Sequence, residues 1–317
     1  MRLLCALLLA VLLANAQNCT IISGDYFLYN DTNSCFIVLG GELNCMGKKI
    51  LGNESVGSVG VRVRANGARI RNCTVENFTV GIAVEFSDDV YLVGSTARNC
   101  AEGVGIRYST RVSVSGGIFS DNDKGVYVAH SKNCRIINSV MEKNSVGAAF
   151  FNSSMCMIEK SGFYENNVGV VMNTEKGDFI VDNVFDGNNE GIGMIFSENC
   201  SIMKTNFSSV FYNIGLRSSK GNSIRNSALI GAVNSLVFYN SSNNSVEDTL
   251  ITFSSQYDVK AEEGSVNFFR NTKYETKYCD GASEIVHLDN ENLKLLIAMS
   301  AFFALIGIGF FRKRGQS

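Results

Sequence analysis

A 22-residue period governs this sequence. Gly81, Gly103, Gly125, Gly147, Gly169 and Gly191 are each 22 residues apart. Eleven residues before each glycine runs an aliphatic column, Ile70, Leu92, Val114, Ile136, Ile158 and Ile180, which continues in step through Ile202, Ile224 and Val246. A third column reads Phe119, Met141, Phe163, Phe185 and Phe207, and a fourth Asn122, Asn144, Asn166 and Asn188. A fixed period of this length marks stacked units that bury one continuous core.

The local pattern decides which units. After each glycine comes apolar, any, apolar, as in Ile82 and Val84, Val104 and Ile106, Val126 and Val128, or Ile192 and Met194. That is period two, a strand with one buried face. No amphipathic stretch supports a helical repeat, and the leucine and asparagine spacing of leucine-rich repeats is missing. The chain therefore reads as all-β, a single-stranded parallel β-helix over residues 46–270 with about ten coils of ~22 residues and a rod roughly 50 Å long. Stacking places each side chain on its copy about 4.8 Å away. Ile136, Ile158, Ile180 and Ile202, like Phe163, Phe185 and Phe207, become apolar stacks, and the Asn column can bond along itself. Gly215 follows Gly191 by 24 residues, which reads as a two-residue turn insertion with a matching deletion. Residues 17–45 are the expected N-terminal cap and 271–292 the C-terminal cap or stalk, since open solenoid ends expose strand edges.

The two ends set a topology. Arg2, an apolar run from Leu3 to Leu13, and small residues at Ala14 and Ala16 read as a signal peptide over 1–16. Leu295 to Phe311 is apolar and uncharged, and Arg312, Lys313 and Arg314 follow at once. This reads as a transmembrane helix over 293–311 with a cytoplasmic basic tail, 312–317. The membrane is thus the first expected partner, at a cell membrane crossed once with the body outside. A net charge of −2 implies no nucleic-acid partner. Ten Asn-x-Ser/Thr sequons, at Asn18, Asn30, Asn53, Asn72, Asn77, Asn152, Asn199, Asn206, Asn240 and Asn243, are candidate glycan sites on an exported chain.

Export also permits disulfides. Cys35 and Cys45 flank the cap and first coil and are the expected pair. Cys134, Cys156 and Cys200 share an inward column and read as buried thiols, because one coil spacing exceeds the usual Cβ separation of a disulfide.

The stretch CFIVLGGELNCMGKKILGN from Cys35, followed by repeats such as GVYVAHSKNCRIINSVMEKN, resembles archaeal cell-surface proteins of the right-handed parallel β-helix class. Their coils are shared with NosD-like and pectate-lyase-like families. The resemblance spans residues 19 to about 260. It implies right-handed winding, and it implies little about function, because this fold hosts lyases, hydrolases, epimerases and plain binding surfaces.

Enzymes of that class work on acidic polysaccharides with Asp, Arg, Lys or His gathered on one outer face. Asp88 with Asp89 is the nearest candidate here, but it reads as a polar turn. His130 lies in a turn without an evident acidic partner, and His287 sits close to the expected membrane anchor. Outward strand positions give Glu85, Arg107, Ala129, Phe151, Asn173 and Ile195 in one column and Tyr127 among small residues in the next. Glu85, Arg107 and Arg111 form a modest polar cluster, and Tyr127, Phe151 and Ile195 an apolar contact surface. No catalytic set and no cofactor or metal site follows from these residues. The expected role is a membrane-anchored surface protein, structural, adhesive or carbohydrate-binding, with glycans or other surface proteins as partners. The alternative is a polysaccharide lyase, hydrolase or epimerase acting on the lateral face, which calls for a groove with at least three converging charged groups.

Overall fold

The computed structural model describes residues 19–288. The expected signal peptide, transmembrane helix, basic tail and Asn18 sequon lie outside the described residues. Within them no helix is long and apolar enough to cross a membrane.

The described chain winds as a parallel β-solenoid of about eleven turns. Three parallel sheets line it, with 13, 13 and 10 strands. The first sheet holds the strands around each glycine, such as Glu102–Arg107. The second carries the aliphatic column, as in Arg135–Ile137, and the third the phenylalanine column, as in Gly162–Tyr164. Val104 pairs with Val126, Leu92 with Val114 and Phe163 with Phe185, each 22 residues on. Ile136, Ile158, Ile180, Ile202, Phe163, Phe185 and Phe207 are all buried. Phe185 stacks between Phe163 and Phe207, with ring centroids 4.5 and 4.7 Å away. Burying one such side chain is worth about 1.5–3 kcal/mol, so the repetition itself is the source of stability.

The glycine column serves close approach, not an unusual φ. A Cβ on Gly103 would lie 2.6 Å from the carbonyl oxygen of Gly125, and one on Gly125 would lie 2.5 Å from that of Gly147. Any side chain there would push the coils apart.

At the corners the backbone N–H of one coil finds its acceptor on a side chain of the next. Asn122 N–H donates to Asn144 Oδ1, Asn144 N–H to Asn166 Oδ1 and Asn166 N–H to Asn188 Oδ1, each at 3.0 Å. Each Nδ2 also donates to the next Oδ1 and to a carbonyl of the coil below. A serine column does the same work at another corner, where Ser87, Ser109 and Ser131 donate their N–H groups to Ser109, Ser131 and Ser153 Oγ. A second asparagine ladder, Asn222, Asn244 and Asn267, continues the column of Cys134, Cys156, Asp178 and Cys200.

Three details differ from the sequence reading. The two-residue insertion at Gly215 is absent: Gly215 pairs with Gly193, and Asn213 takes the glycine column. A single extra residue enters later, where Asn234 pairs with Tyr257, 23 residues on. Second, the Cys35–Cys45 bridge is not formed. Cys35 joins Cys19 and Cys45 joins Cys73, with Cα–Cα distances of 4.4 and 4.7 Å. All four lie just outside strands, where Cβ atoms are free to lean together, so neighbouring rungs can be bridged after all. Third, both expected caps contribute solenoid strands. Thr20–Ile22 pairs with Phe36–Val38 in the first sheet, and Glu284–His287 extends the second.

Candidate functional site

The outer face of the first sheet gathers charge in its early coils. Register brings Arg62 beside Ala83, Gly105 beside Tyr127, and Glu102 beside Lys124. Glu85 accepts two hydrogen bonds from Arg62 Nη1, at 3.0 and 2.9 Å, and two from Arg64, Nε at 3.0 Å and Nη2 at 2.8 Å. Burial alone would raise the Glu85 carboxyl, but the two guanidiniums outweigh it and hold it below the usual range. One coil on, Arg107 Nη2 reaches both Glu102 oxygens, at 2.7 and 2.6 Å. The pair spans Gly105, where a Cβ would lie 2.5 Å from Arg107 Nη1 and 2.6 Å from Glu102 Oε2. Tyr127 completes the group, with the Arg107 guanidinium 5.1 Å and the Lys124 ammonium 4.9 Å from its ring centroid. Burial pushes the Tyr127 phenol up, so it stays protonated at neutral pH.

Arg62, Arg64, Arg107 and Lys124 face only Glu85 and Glu102, a surplus of two positive charges. In the column that begins with Arg62, later coils present Val171, Gly193, Gly215 and Val237, and charge returns at Lys260, which pairs with Glu262. Glu85 and Arg107 were visible as outward residues in the sequence. Glu102 and Lys124 were missed because they occupy the position before each glycine, a column not followed, and Arg62 and Arg64 because they lie one coil below the first glycine. Reading every strand position at i and i+22 would have found Glu102 and Lys124, whereas Arg62 and Arg64 stand 21 residues before Ala83 and Glu85 and fall out of a strict 22-residue step.

The remaining candidates disperse. Arg111 does not join Glu85 and Arg107 but binds Asp89, Nε to Oδ1 at 2.6 Å and Nη2 to Oδ2 at 2.8 Å. That contact holds the Asp89 carboxyl low. Asp88 contributes a bridge to Thr110 and accepts no guanidinium of its own. His130 stacks on Tyr108, which stacks on Phe86, with centroids 5.0 and 5.2 Å apart. Asn152 Nδ2 lies 3.0 Å from His130 Nδ1, so with the amide donating the ring proton sits on Nε2. His287 Nε2 bonds Tyr274 Oη at 2.7 Å. Tyr127 belongs to the charged group, while Phe151 is exposed and Ile195 half-buried farther along the same face. Of the sequon asparagines described, Asn30, Asn53, Asn72, Asn152, Asn199, Asn206, Asn240 and Asn243 are exposed and Asn77 is half-buried.

Inside the rod, Glu175 takes a place in the serine column and Asp178 one in the cysteine column. Burial pushes both carboxyls up, Glu175 to about 9 and Asp178 to about 6. A cleft of about 380 Å³ opens near the N-terminal end, lined by Asn33, Ser34, Leu51, Asn53 and Phe78 among others, without a titratable side chain. Among the described residues no group of three or more His, Cys, Asp or Glu is placed to hold a metal ion.

The model of the right-handed β-helix region matches residues 10–159 and 59–207. The chain belongs to the right-handed β-helix family. No curated protein matches it in sequence. Among solved structures it is similar to the periplasmic alginate epimerase AlgG, with a TM-score of 0.69 and 13% identity over 84% of this chain and 78% of that one. It is also similar to the catalytic unit of a GH87 α-1,3-glucanase from Streptomyces thermodiastaticus, with a TM-score of 0.64 and 12% identity over 87% of this chain and 63% of that one. A third is PfbA, a surface adhesin of Streptococcus pneumoniae, with a TM-score of 0.54 and 14% identity over 78% and 74% of the two chains. At such identities the likeness is one of fold. This β-helix shares its architecture with carbohydrate-active enzymes and with an adhesin alike.

Proposed function

We propose that this β-helix is displayed outside the cell, anchored by its C-terminal apolar segment, and binds acidic carbohydrate across the early coils of the first sheet without acting on it chemically. The observation that carries the reading is the pairing pattern of the face. Arg62, Arg64, Arg107 and Lys124 supply surplus positive charge, and both carboxylates present are already held by guanidiniums. Proton abstraction or glycosidic cleavage needs a free acid or base, and this group offers only a protonated phenol. The Cys19–Cys35 and Cys45–Cys73 bridges fit an oxidising compartment, and the exposed sequon asparagines fit a glycosylated surface protein.

The second reading, a lyase or epimerase, draws on the convergence of Glu102, Arg107, Lys124 and Tyr127 on one spot. One titration separates the two. The full chain is mixed with polygalacturonate, alginate and a neutral glucan, and binding and products are both followed. The polyuronates bind, more weakly at higher salt, and Arg107→Ala with Lys124→Ala lowers affinity about tenfold, some 1.4 kcal/mol. Arg217→Ala, on a later coil, changes little. Equal binding by the double variant sinks the assignment of the face. Unsaturated or epimerised uronates in the mixture replace it with the enzymatic reading.

A further inference from the structure

We propose that Cys134 and Cys156 form a third rung-to-rung disulfide, a covalent tie in the middle of the rod. Cys134 immediately precedes the strand Arg135–Ile137, and Cys156 precedes Met157–Glu159; Arg135 and Met157 are paired. Cys19 and Cys35 stand in the same relation to the paired Thr20 and Phe36, and they are bridged. Both are free, buried thiols in the structure, each donating a long bond to the carbonyl two residues before it, Cys134 Sγ to Lys132 and Cys156 Sγ to Ser154, both at 3.6 Å. Their column offers no competing partner. Val112 lies on one side of the pair and Asp178 on the other, so Cys200 is cut off from Cys156 by a whole coil.

The chemistry is thiol–disulfide exchange with a low-molecular-weight disulfide. The Cys134 thiolate attacks one sulfur of that disulfide and expels the other as a thiolate. The Cys156 thiolate then displaces the second small thiol from the mixed disulfide. The protein pair is oxidised, one disulfide is reduced to two thiols, and the protons of the two cysteines end on those thiols. Because neither sulfur reaches solvent, exchange takes place as these coils close during folding or open locally. The product ties two neighbouring coils far from the two bridges at the N-terminal end.

The test is refolding of the full chain with oxidised and reduced glutathione, then alkylation in denaturant and digestion without reduction. Mass spectrometry is expected to find the Cys134 and Cys156 peptides linked, with Cys100, Cys200 and Cys279 alkylated. Recovery of Cys134 and Cys156 as alkylated thiols, or linked elsewhere, overturns the proposal. As a second measurement, the oxidised protein should unfold a few degrees above the Cys134→Ala/Cys156→Ala variant. Equal midpoints count against the tie. If the variant does not fold, the peptide map still decides.

Discussion

Two interior corners of this solenoid meet the same demand in different ways. After the third sheet, Asn122, Asn144, Asn166 and Asn188 form an unbroken ladder. Before the second sheet, the column reads Val112, Cys134, Cys156, Asp178, Cys200 and Asn222, while Glu175 interrupts the serine column three residues from Asp178. At each place a backbone N–H from one coil needs an acceptor on the next. Asparagine, serine, aspartate and glutamate all supply one. Asparagine also brings its own donors, so its ladder closes without charge or proton. The acids do not: Asp178 Oδ2 is buried without a hydrogen-bond partner, and burial favours the protonated form of both carboxyls. The asparagine corner should therefore be strong and indifferent to pH, and the mixed corner weaker and pH-sensitive.

The largest effect is expected at the centre of the asparagine ladder. Asn166→Ala strips acceptors from the Asn144 N–H and Nδ2 and a donor from the Met141 carbonyl, all buried. Leaving each such group unpaired costs about 1–3 kcal/mol, so a loss of roughly 3–5 kcal/mol is expected in urea unfolding. A loss under about 1 kcal/mol would mean that water or relaxation replaces the ladder, and the contrast between the corners would fail.

The mixed corner is read by pH. Glu175 is raised from 4.5 to about 9 in the folded chain, so between those values the folded state holds a proton that the unfolded state has released. Stability from this group is complete below the unfolded value and is lost as pH rises toward the folded one. Asp178 acts in the same sense over a narrower window, up to about 6. Carboxyls held low, such as Glu85, work oppositely and only in acid. Melting temperature should therefore fall between pH 6 and 8. Glu175→Gln keeps an acceptor for the Ser153 N–H and supplies a fixed donor in place of the proton. It should flatten that slope and add about 1–3 kcal/mol near pH 8. An unchanged slope would place the proton elsewhere.

The legible part of this molecule is the part that repeats. Ile136 to Ile202 and Phe163 to Phe207 announce themselves because identical apolar side chains must stack when coils stack. Asn122 to Asn188 do so because they bond one another. The second ladder stayed hidden because Asn222 and Asn244 share their column with Cys200, Asp178, Cys156 and Cys134, and a column of mixed residue types has no visible signature. The disulfides were misassigned for a related reason. Cys45 and Cys73 are 28 residues apart in coils of unequal length, so no constant period brings them into line. The charged face was half seen. Its pairing across Gly105 depends on side chains reaching sideways between columns, which a vertical reading cannot show.

The smallest effect is expected at Cys200. Its backbone N–H keeps Asn222 Oδ1 as acceptor at 2.9 Å whatever side chain it carries. The thiol donates only a long bond to the Glu198 carbonyl, at 3.5 Å. Burial pushes it up to about 12, so at neutral pH it is a small uncharged apolar group. Cys200→Ala should then cost about 1 kcal/mol in the same urea titration, and the native thiol should resist alkylation at pH 8. Rapid native-state labelling, or a loss approaching that of Asn166→Ala, would show this column carrying interactions of its own. A small loss with a protected thiol would leave the corner's weakness where the geometry puts it, in the two buried carboxyls.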